Sequence, residues 1–351
     1  MKIYHIIGLM SGTSLDGLDV CYVRFEFPNL KNFQIIQAET FSYDNIWKNR
    51  LKNSIQLSGE ELIQLDIELG IYFGKIVNRF LKKHTIQKVD FIASHGHTVF
   101  HNPTKNYTLQ IGNGLALFTE VGIPIVYDFR SQDIFLGGQG APLVPIGDKS
   151  LFSEFDACLN LGGFSNISFD KNQERIAFDV SPFNVIFNYL AEKLGKPFDE
   201  DGKFAQKGTI DFDLLAQLNQ LDYYKKEPPK SLGIEWCHDF IFPILESSTL
   251  KVEDLLATLC EHFAIQIAAV LNENGLKTIL ITGGGTYNKY FIQTLQSKTT
   301  CNVKLPENTI IDYKEALIFA LMGLLKIENQ INIFSSVTGA KKNHSSGLII
   351  S

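Results

Sequence analysis

The stretch IYHIIGLMSGTSLDGLD, residues 3–19, decides how the rest of the chain is read. It opens with a β-branched and aromatic apolar run from Ile3 to Ile7. It then breaks into Gly8, Ser11, Gly12, Thr13, Ser14 and Gly17, with carboxylates at Asp16 and Asp19. A second apolar run, Val20 to Val23, follows at once. This pattern predicts a strand, a small-residue turn and a returning strand. Glycine reaches backbone shapes closed to other residues, so such a turn can aim several N–H groups at one anion. A tight hairpin with a polar tip accounts for the same residues, because glycines by themselves are weak evidence. Two acids would repel a phosphate unless Mg²⁺, held directly or through its water, sat between them.

A chain of 351 residues is long enough for two domains, each with its own core. Hydrophobic residues make up 45% and charged residues 20%, an ordinary globular composition. The net charge is -6 and Lys/Arg cluster only in pairs such as Lys225–Lys226 and Lys341–Lys342, which argues against a nucleic-acid partner. The start of the chain lacks the pattern of a signal peptide, and no uninterrupted apolar stretch reads as a bilayer span; a cytoplasmic protein without a membrane partner is expected. Cys21, Cys158, Cys237, Cys260 and Cys301 are scattered, with no CxxC pair and no zinc-ligand spacing. Buried free thiols fit them better than disulfides.

Outward from the opening stretch, residues 33–41 alternate like a third strand, and residues 46–57 suggest a short helix. Leu62, Leu65, Leu69, Phe73, Ile76, Val77 and Phe80 form one stripe on a helix expected over residues 60–83. Short strands are predicted at residues 90–93, 109–111 and 123–127, with a helix over 114–121. Alternating strands and helices indicate an α/β organisation. Periodicity vanishes in GGQGAPLVP, residues 137–145, where the domain boundary is expected. The second half opens like the first: an apolar run at residues 155–161, a turn at Gly162–Gly163, and a returning strand from Ile167. That parallel supports two related folding units, although the shared residue identities are too few to prove a duplication. Residues 176–180 read as a strand ending near Asp179, with Pro182 opening a helix over residues 183–194. Residues 228–231 must be loop. Residues 252–272 form a long amphipathic helix. Residues 278–282 form a buried strand leading to Gly283, Gly284 and Gly285. A last helix covers residues 313–327, and Leu348–Ile349–Ile350 close the tail on the core.

Three glycine turns, each after a strand and spread over both halves, can together surround a nucleotide. None matches GxxxxGKS/T, and no GxGxxG follows the first strand, so a P-loop is excluded and a dinucleotide fold disfavoured. Asp179 is the candidate for proton chemistry, with helix capping as its structural alternative. Arg130 could grip a substrate through its planar fork or simply pair with Asp133; Asp128 shares the same strand end. His95, His97 and His101 suggest substrate contact or loop polarity rather than zinc. Glu315 is either a partner of its helix dipole or a ligand for sugar hydroxyls. Ser14 lacks the GxSxG elbow that a covalent nucleophile of the hydrolase type would need.

Collected, these segments resemble the anhydro-N-acetylmuramic acid kinase family of the hexokinase/actin/Hsp70 ATPase superfamily. The matching pieces are GLMSGTSLDGLD (8–19), SHGHTVFH (94–101), DFRSQD (128–133), GGQGAPLVP (137–145), NLGGFSNIS (160–168), PPKSLGIE (228–235), TGGGTYN (282–288), KEALIFA (314–320) and VTGA (337–340). They stand in family order and span nearly the whole chain.

The resemblance implies an actin-like ATPase fold: two domains, each with a ribonuclease-H-like mixed sheet flanked by helices, and a nucleotide cleft between them. Residues 1–136 would be the N-terminal domain, with the C-terminal segment a candidate to complete it, and residues 137–351 the C-terminal domain. The resemblance also implies ATP and Mg²⁺, the latter held through water near Asp16. Gly12, Thr13, Ser14, Asp16, Gly17, Asp19, Gly162, Gly163, Gly283, Gly284, Gly285 and Asn288 would serve the nucleotide. Asp179 matches the family base, and Arg130 and Glu315 match sugar contacts. His97 stands where glutamine is usual.

The implied reaction opens the 1,6-anhydro ring with water and phosphorylates O6, giving N-acetylmuramic acid 6-phosphate and ADP. Members of the family commonly form homodimers, carried to this chain by analogy only. The usual DTGPGN reads DVSPFN at residues 179–184, so Ser181 and Phe183 replace glycines, and bulky Phe183 raises the expectation of a reshaped sugar pocket, a different substrate or weakened catalysis. The rival readings are another sugar kinase of the superfamily, such as an N-acetylhexosamine kinase, marked by turnover of sugars without the anhydro bond, and a nucleotide-dependent regulatory or binding protein, marked by ATP binding without sugar turnover.

Overall fold

The computed structural model describes the whole chain, Met1–Ser351. Its strands, in chain order, are β1 (Lys2–Ser11), β2 (Gly17–Phe27), β3 (Phe33–Ser42), β4 (Phe91–Asn102), β5 (Tyr107–Ile111), β6 (Ile125–Tyr127), β7 (Ala157–Leu161), β8 (Phe164–Lys171), β9 (Glu174–Pro182), β10 (Thr278–Thr282), β11 (Asn302–Lys304) and β12 (Leu348–Ile350). The chain divides into two compact units, one of Met1–Leu151 with Tyr313–Ser351, the other of Phe152–Asp312. Both are α/β.

The first unit holds a mixed sheet in the order β12-β6-β4-β1-β2-β3, with β5 paired to β4. β1 and β2 pair antiparallel from Lys2↔Phe27 to Ser11↔Leu18, and β2 pairs antiparallel with β3. β4 lies parallel to β1 and to β6. The helix Gly59–Lys83 starts on a capping box between Ser58 and Glu61, and its apolar stripe, Leu65, Leu69, Phe73, Ile76, Val77 and Phe80, is buried. That stripe joins Ile7, Leu9, Val20 and Ile92 in one core, each such side chain stabilising by roughly 1.5–3 kcal/mol.

The second unit repeats this plan. Its sheet runs β11-β10-β7-β8-β9. β7, β8 and β9 pair antiparallel in succession, and β10 lies parallel to both β7 and β11. Strand by strand this is the order and sense of β6-β4-β1-β2-β3. The two halves are therefore built on one topology, although their residues share little beyond apolar strands and glycine turns. The helix Val252–Glu273 supplies the centre of this unit's core with Leu255, Leu259, Phe263 and Ile267. By length and composition it could cross a bilayer, contrary to the expectation that no segment qualifies, but 67% of its most apolar window is buried in the protein.

Several expectations are revised. The boundary expected at residues 137–145 falls after Leu151. The glycine loop is tied into the first unit: Gly140 N–H donates to Asp133 at 2.7 Å, and Gln139 N–H to the Thr338 carbonyl at 2.8 Å. Asp148, on the short helix Pro145–Leu151, pairs with Lys314 at 2.7 Å with both side chains buried. Residues from Tyr313 onward, the segment named as a candidate to complete the first domain, group with the first unit, and the second unit is Phe152–Asp312 rather than residues 137–351. The strand expected at residues 90–93 runs on through SHGHTVFH to Asn102. Pro182 ends β9 instead of opening the next helix, which is Asn184–Lys193.

Candidate active site

In the first unit the sequence-predicted residues gather at the carboxyl ends of the parallel strands, where open α/β sheets bind ligands. β1 ends at Ser11, and the turn of residues 12–16 leads into β2, closed by Leu15 N–H to the Gly12 carbonyl at 3.3 Å. Thr13, Ser14 and Asp16 are exposed, and Asp19 is half-buried, accepting from the Thr40 hydroxyl at 2.6 Å. The glycines divide by role. A Cβ on Gly12 would meet nothing closer than Ser14 Oγ, at 3.5 Å, so that backbone is open to a ligand. A Cβ on Gly17 would overlap the Phe41 carbonyl oxygen, so Gly17 is small because β3 passes close by.

Beside the turn, β4 places His97 opposite Ser11. His97 Nδ1 lies 2.9 Å from Ser11 Oγ, and Ser11 Oγ lies 2.7 Å from Tyr43 Oη. Burial lowers the His97 imidazole to about 4, so it is neutral at neutral pH. Arg130 follows β6 and Asp128. Its Nε–H donates to His95 Nε2 at 2.9 Å and its Nη1–H to the Gly140 carbonyl at 2.6 Å. The Arg130–Asp133 pair expected as one alternative does not form; Asp133 is fully buried and accepts instead from Gly140 N–H and, at 2.7 Å, from the Thr338 hydroxyl. Burial lowers the Arg130 guanidinium to about 10, with Glu315 and Asp133 pulling the other way. Glu315 keeps solvent access on the helix Asn308–Ile327. The dense protein around it nevertheless pushes its carboxyl up, opposed by Arg130 and Lys314.

In the second unit the other two glycine turns leave neighbouring parallel strands, β7 and β10, with Asn160 opposite Thr282. The Gly163 carbonyl accepts from Phe183 N–H at 2.8 Å and the Gly162 carbonyl from Asn184 N–H at 3.1 Å, which locks this turn to the helix Asn184–Lys193. A Cβ on Gly163 would meet Val185 Cγ1 at 3.2 Å. Gly284 is exposed and open, the nearest atom to a built Cβ being Asn184 Nδ2 at 3.9 Å, whereas Gly283 is held at φ +86° against Asn160. Gly285 is buried and packs against the Phe183 ring, which a Cβ would overlap. Asn288 caps the helix Lys289–Gln296 by accepting from Phe291 N–H at 2.9 Å. Of the residues expected at a nucleotide, Gly17, Gly285 and Asn288 therefore have structural work that accounts for them.

Asp179 stands on β9 opposite Asn166. Its carboxylate accepts from Leu232 N–H at 2.9 Å. Its own N–H donates to the Lys230 carbonyl at 3.2 Å, and Tyr223 Oη donates to its carbonyl at 2.6 Å. The capping alternative fails, because no side chain caps the helix Asn184–Lys193. Burial raises the Asp179 carboxyl above the ordinary carboxylate range, and the Leu232 amide opposes this. Phe183 does not fill the space beside it. The ring is fully buried, with centroids 4.6 Å from Phe291 and 4.9 Å from Phe187.

Sequence reasoning missed Tyr223 and the Leu232 amide as supports of Asp179, His95 and Gly140 as holders of Arg130, and Tyr43 behind Ser11. No local pattern announces a backbone N–H as a ligand. No three His, Cys, Asp or Glu side chains converge as a metal cage.

The family model Anhydro-N-acetylmuramic acid kinase matches residues 4–351. A relative of that name from Haemophilus influenzae is 34% identical over 380 residues, covering 99% of this chain and 98% of its own length. One from Sulfurimonas denitrificans is 31% identical with 98% of each chain covered, and one from Mannheimia succiniciproducens is 34% identical with 99% of each covered. Matched by the family model over residues 4–351 and by relatives covered along nearly their whole length, this chain belongs to the anhydro-N-acetylmuramic acid kinase family.

Proposed function

We propose that the chain is an ATP-dependent sugar kinase that opens the 1,6-anhydro ring of anhydro-N-acetylmuramic acid and phosphorylates O6, as in peptidoglycan recycling. The observation that carries this reading is Asp179: a carboxylate without a paired cation, oriented by one backbone N–H, in a chain that the family model matches over residues 4–351. Its raised pKa suits a general base. Asp179 takes a proton from water as the water oxygen bonds to C1 of the sugar. The C1–O6 bond breaks, and its electrons stay on O6. O6 then bonds to the γ-phosphorus of ATP while the bond to the β–γ bridging oxygen breaks, leaving ADP. The products are N-acetylmuramic acid 6-phosphate and ADP.

Arg130, Glu315 and His97 are assigned to the sugar. Gly12 and Gly284, where a ligand can approach the backbone closely, are assigned to the nucleotide together with Thr13, Ser14 and the Gly162–Gly163 turn. Mg²⁺, when bound, offsets phosphate charge, and the exposed Asp16 carboxylate beside open Gly12 fits holding its water. The repeated strand order supports a ribonuclease-H-like sheet in each unit and the actin-like ATPase fold.

Incubation with Mg-ATP and the anhydro sugar in ¹⁸O-water tests the reading. Label on the C1 hydroxyl and phosphate on O6 is the expected product. Phosphorylated product without label rejects direct attack by water, and turnover only of sugars lacking the anhydro bond rejects the substrate.

A further inference from the structure

We propose that His95 is a positioning residue for Arg130, its bare Nε2 and the Gly140 carbonyl together fixing the guanidinium in one orientation. What Arg130 touches rests on the sugar-kinase reading; how it is held does not.

His95 is buried on β4 with its ring 4.5 Å from that of Phe319. Its Nδ1 lies 3.0 Å from the Gly96 carbonyl oxygen, which only accepts, so Nδ1 carries the proton. Its Nε2 lies 2.9 Å from Arg130 Nε, which only donates, so Nε2 is bare. One neutral tautomer satisfies both bonds. Burial and the Arg130 charge hold His95 well below its ordinary pKa, which keeps that form at neutral pH. On the other side Arg130 Nη1–H meets the Gly140 carbonyl at 2.6 Å. Gly140 is itself fixed, its N–H bonded to the buried Asp133 carboxylate at 2.7 Å, and Asp133 also accepts from Thr338 at 2.7 Å. With Nε and Nη1 engaged, the planar guanidinium cannot turn, and the Nη2 donors keep one direction. A planar donor fork loses its geometric advantage if it can swing.

The test has a spectroscopic and a kinetic arm. In ¹⁵N-labelled full-length protein at pH 7, the His95 ring should show a protonated Nδ1, a bare Nε2 and a ¹⁵N–¹⁵N coupling to Arg130 Nε across the hydrogen bond. A charged ring or a proton on Nε2 overturns the proposal. This arm needs no substrate: an intact coupling in a protein that does not turn over the anhydro sugar rejects the substrate and supports the role of His95. In the kinetic arm His95→Leu removes the acceptor and His95→Gln restores one. His95→Leu should raise the sugar KM roughly tenfold, with the ATP KM within about twofold, and His95→Gln should recover most of that loss. An unchanged sugar KM in His95→Leu, or equal loss in both variants, overturns it. If His95→Leu does not fold, the coupling in the unaltered protein decides.

Discussion

At Asp179 burial and the Leu232 amide act in opposite directions, burial the stronger. The raised pKa fixes two signs. As a base the side chain must be ionised, so the acid limb of kcat/KM should lie above the ordinary aspartate range, and a limb within that range would remove the assignment. For stability, a carboxyl with a raised folded-state pKa favours the protonated form. Its folding stability is greater at low pH and is lost as pH rises through the raised value. Asp179→Asn keeps an acceptor for Leu232 N–H, so the variant should fold, lose that pH dependence and turn over at least about 100-fold more slowly. Phe183 makes a contrasting case. Read from sequence it threatens the sugar site; in the structure its ring belongs to the core with Phe187, Phe263 and Phe291. Phe183→Ala should cost about 3–5 kcal/mol in a denaturant titration while leaving the sugar KM within a factor of a few. Which way a side chain turns after a strand end depends on partners distant in sequence, here Phe263 and Phe291, which no local pattern displays.

Among the elements, the glycine loop of residues 137–145 has one buried carboxylate, Asp133, among its ties, beside the bond from Gln139 N–H to the Thr338 carbonyl. Asp133→Ala leaves Gly140 N–H and the Thr338 hydroxyl without their acceptor, and should cost at least about 3 kcal/mol by chemical denaturation. The same variant frees the Gly140 carbonyl, so its sugar KM should rise more than its ATP KM; equal changes would separate the loop from Arg130. The elements also show what a sequence displays. The hairpin β1–β2 and the helices Gly59–Lys83 and Val252–Glu273 were legible because their periodicity is long and one-sided. The helix Pro145–Leu151 was not, lying in a Gly/Pro-rich stretch too short to show a period. The helical segments between Ile234 and Ser247 escaped as well, since a π-turn at Cys237–Ile241 breaks the 3.6-residue rhythm. Pro182 carries the cue for a first helical turn, but its strand pairing with Phe164 prevails.

On the scale of the whole molecule, one topology serves both units, yet they are assembled from the chain differently. The second unit is continuous, Phe152–Asp312, with its own core around Val252–Glu273. The first needs its late segment: Gly8 lies against the Ala316 carbonyl, Gly323 against Phe91, and β12 pairs antiparallel with β6. A protein ending at Asp312 should therefore keep slow amide exchange in β7–β10 and lose it in β1, β4 and β6; retained protection in β1 would refute this dependence. The repeated small-residue turn after each first strand made the shared plan of the two units legible, whereas in the residue pattern itself the late return of the chain to the first unit shows only in the apolar tail at Leu348–Ile350. During synthesis on the ribosome, the portion translated first must wait, its sheet unfinished, until the residues from Tyr313 emerge, while the inserted middle can already be folded. A pause in translation just before codon 313 would thus lengthen the exposure of the earliest strands to chaperones, and not that of the middle.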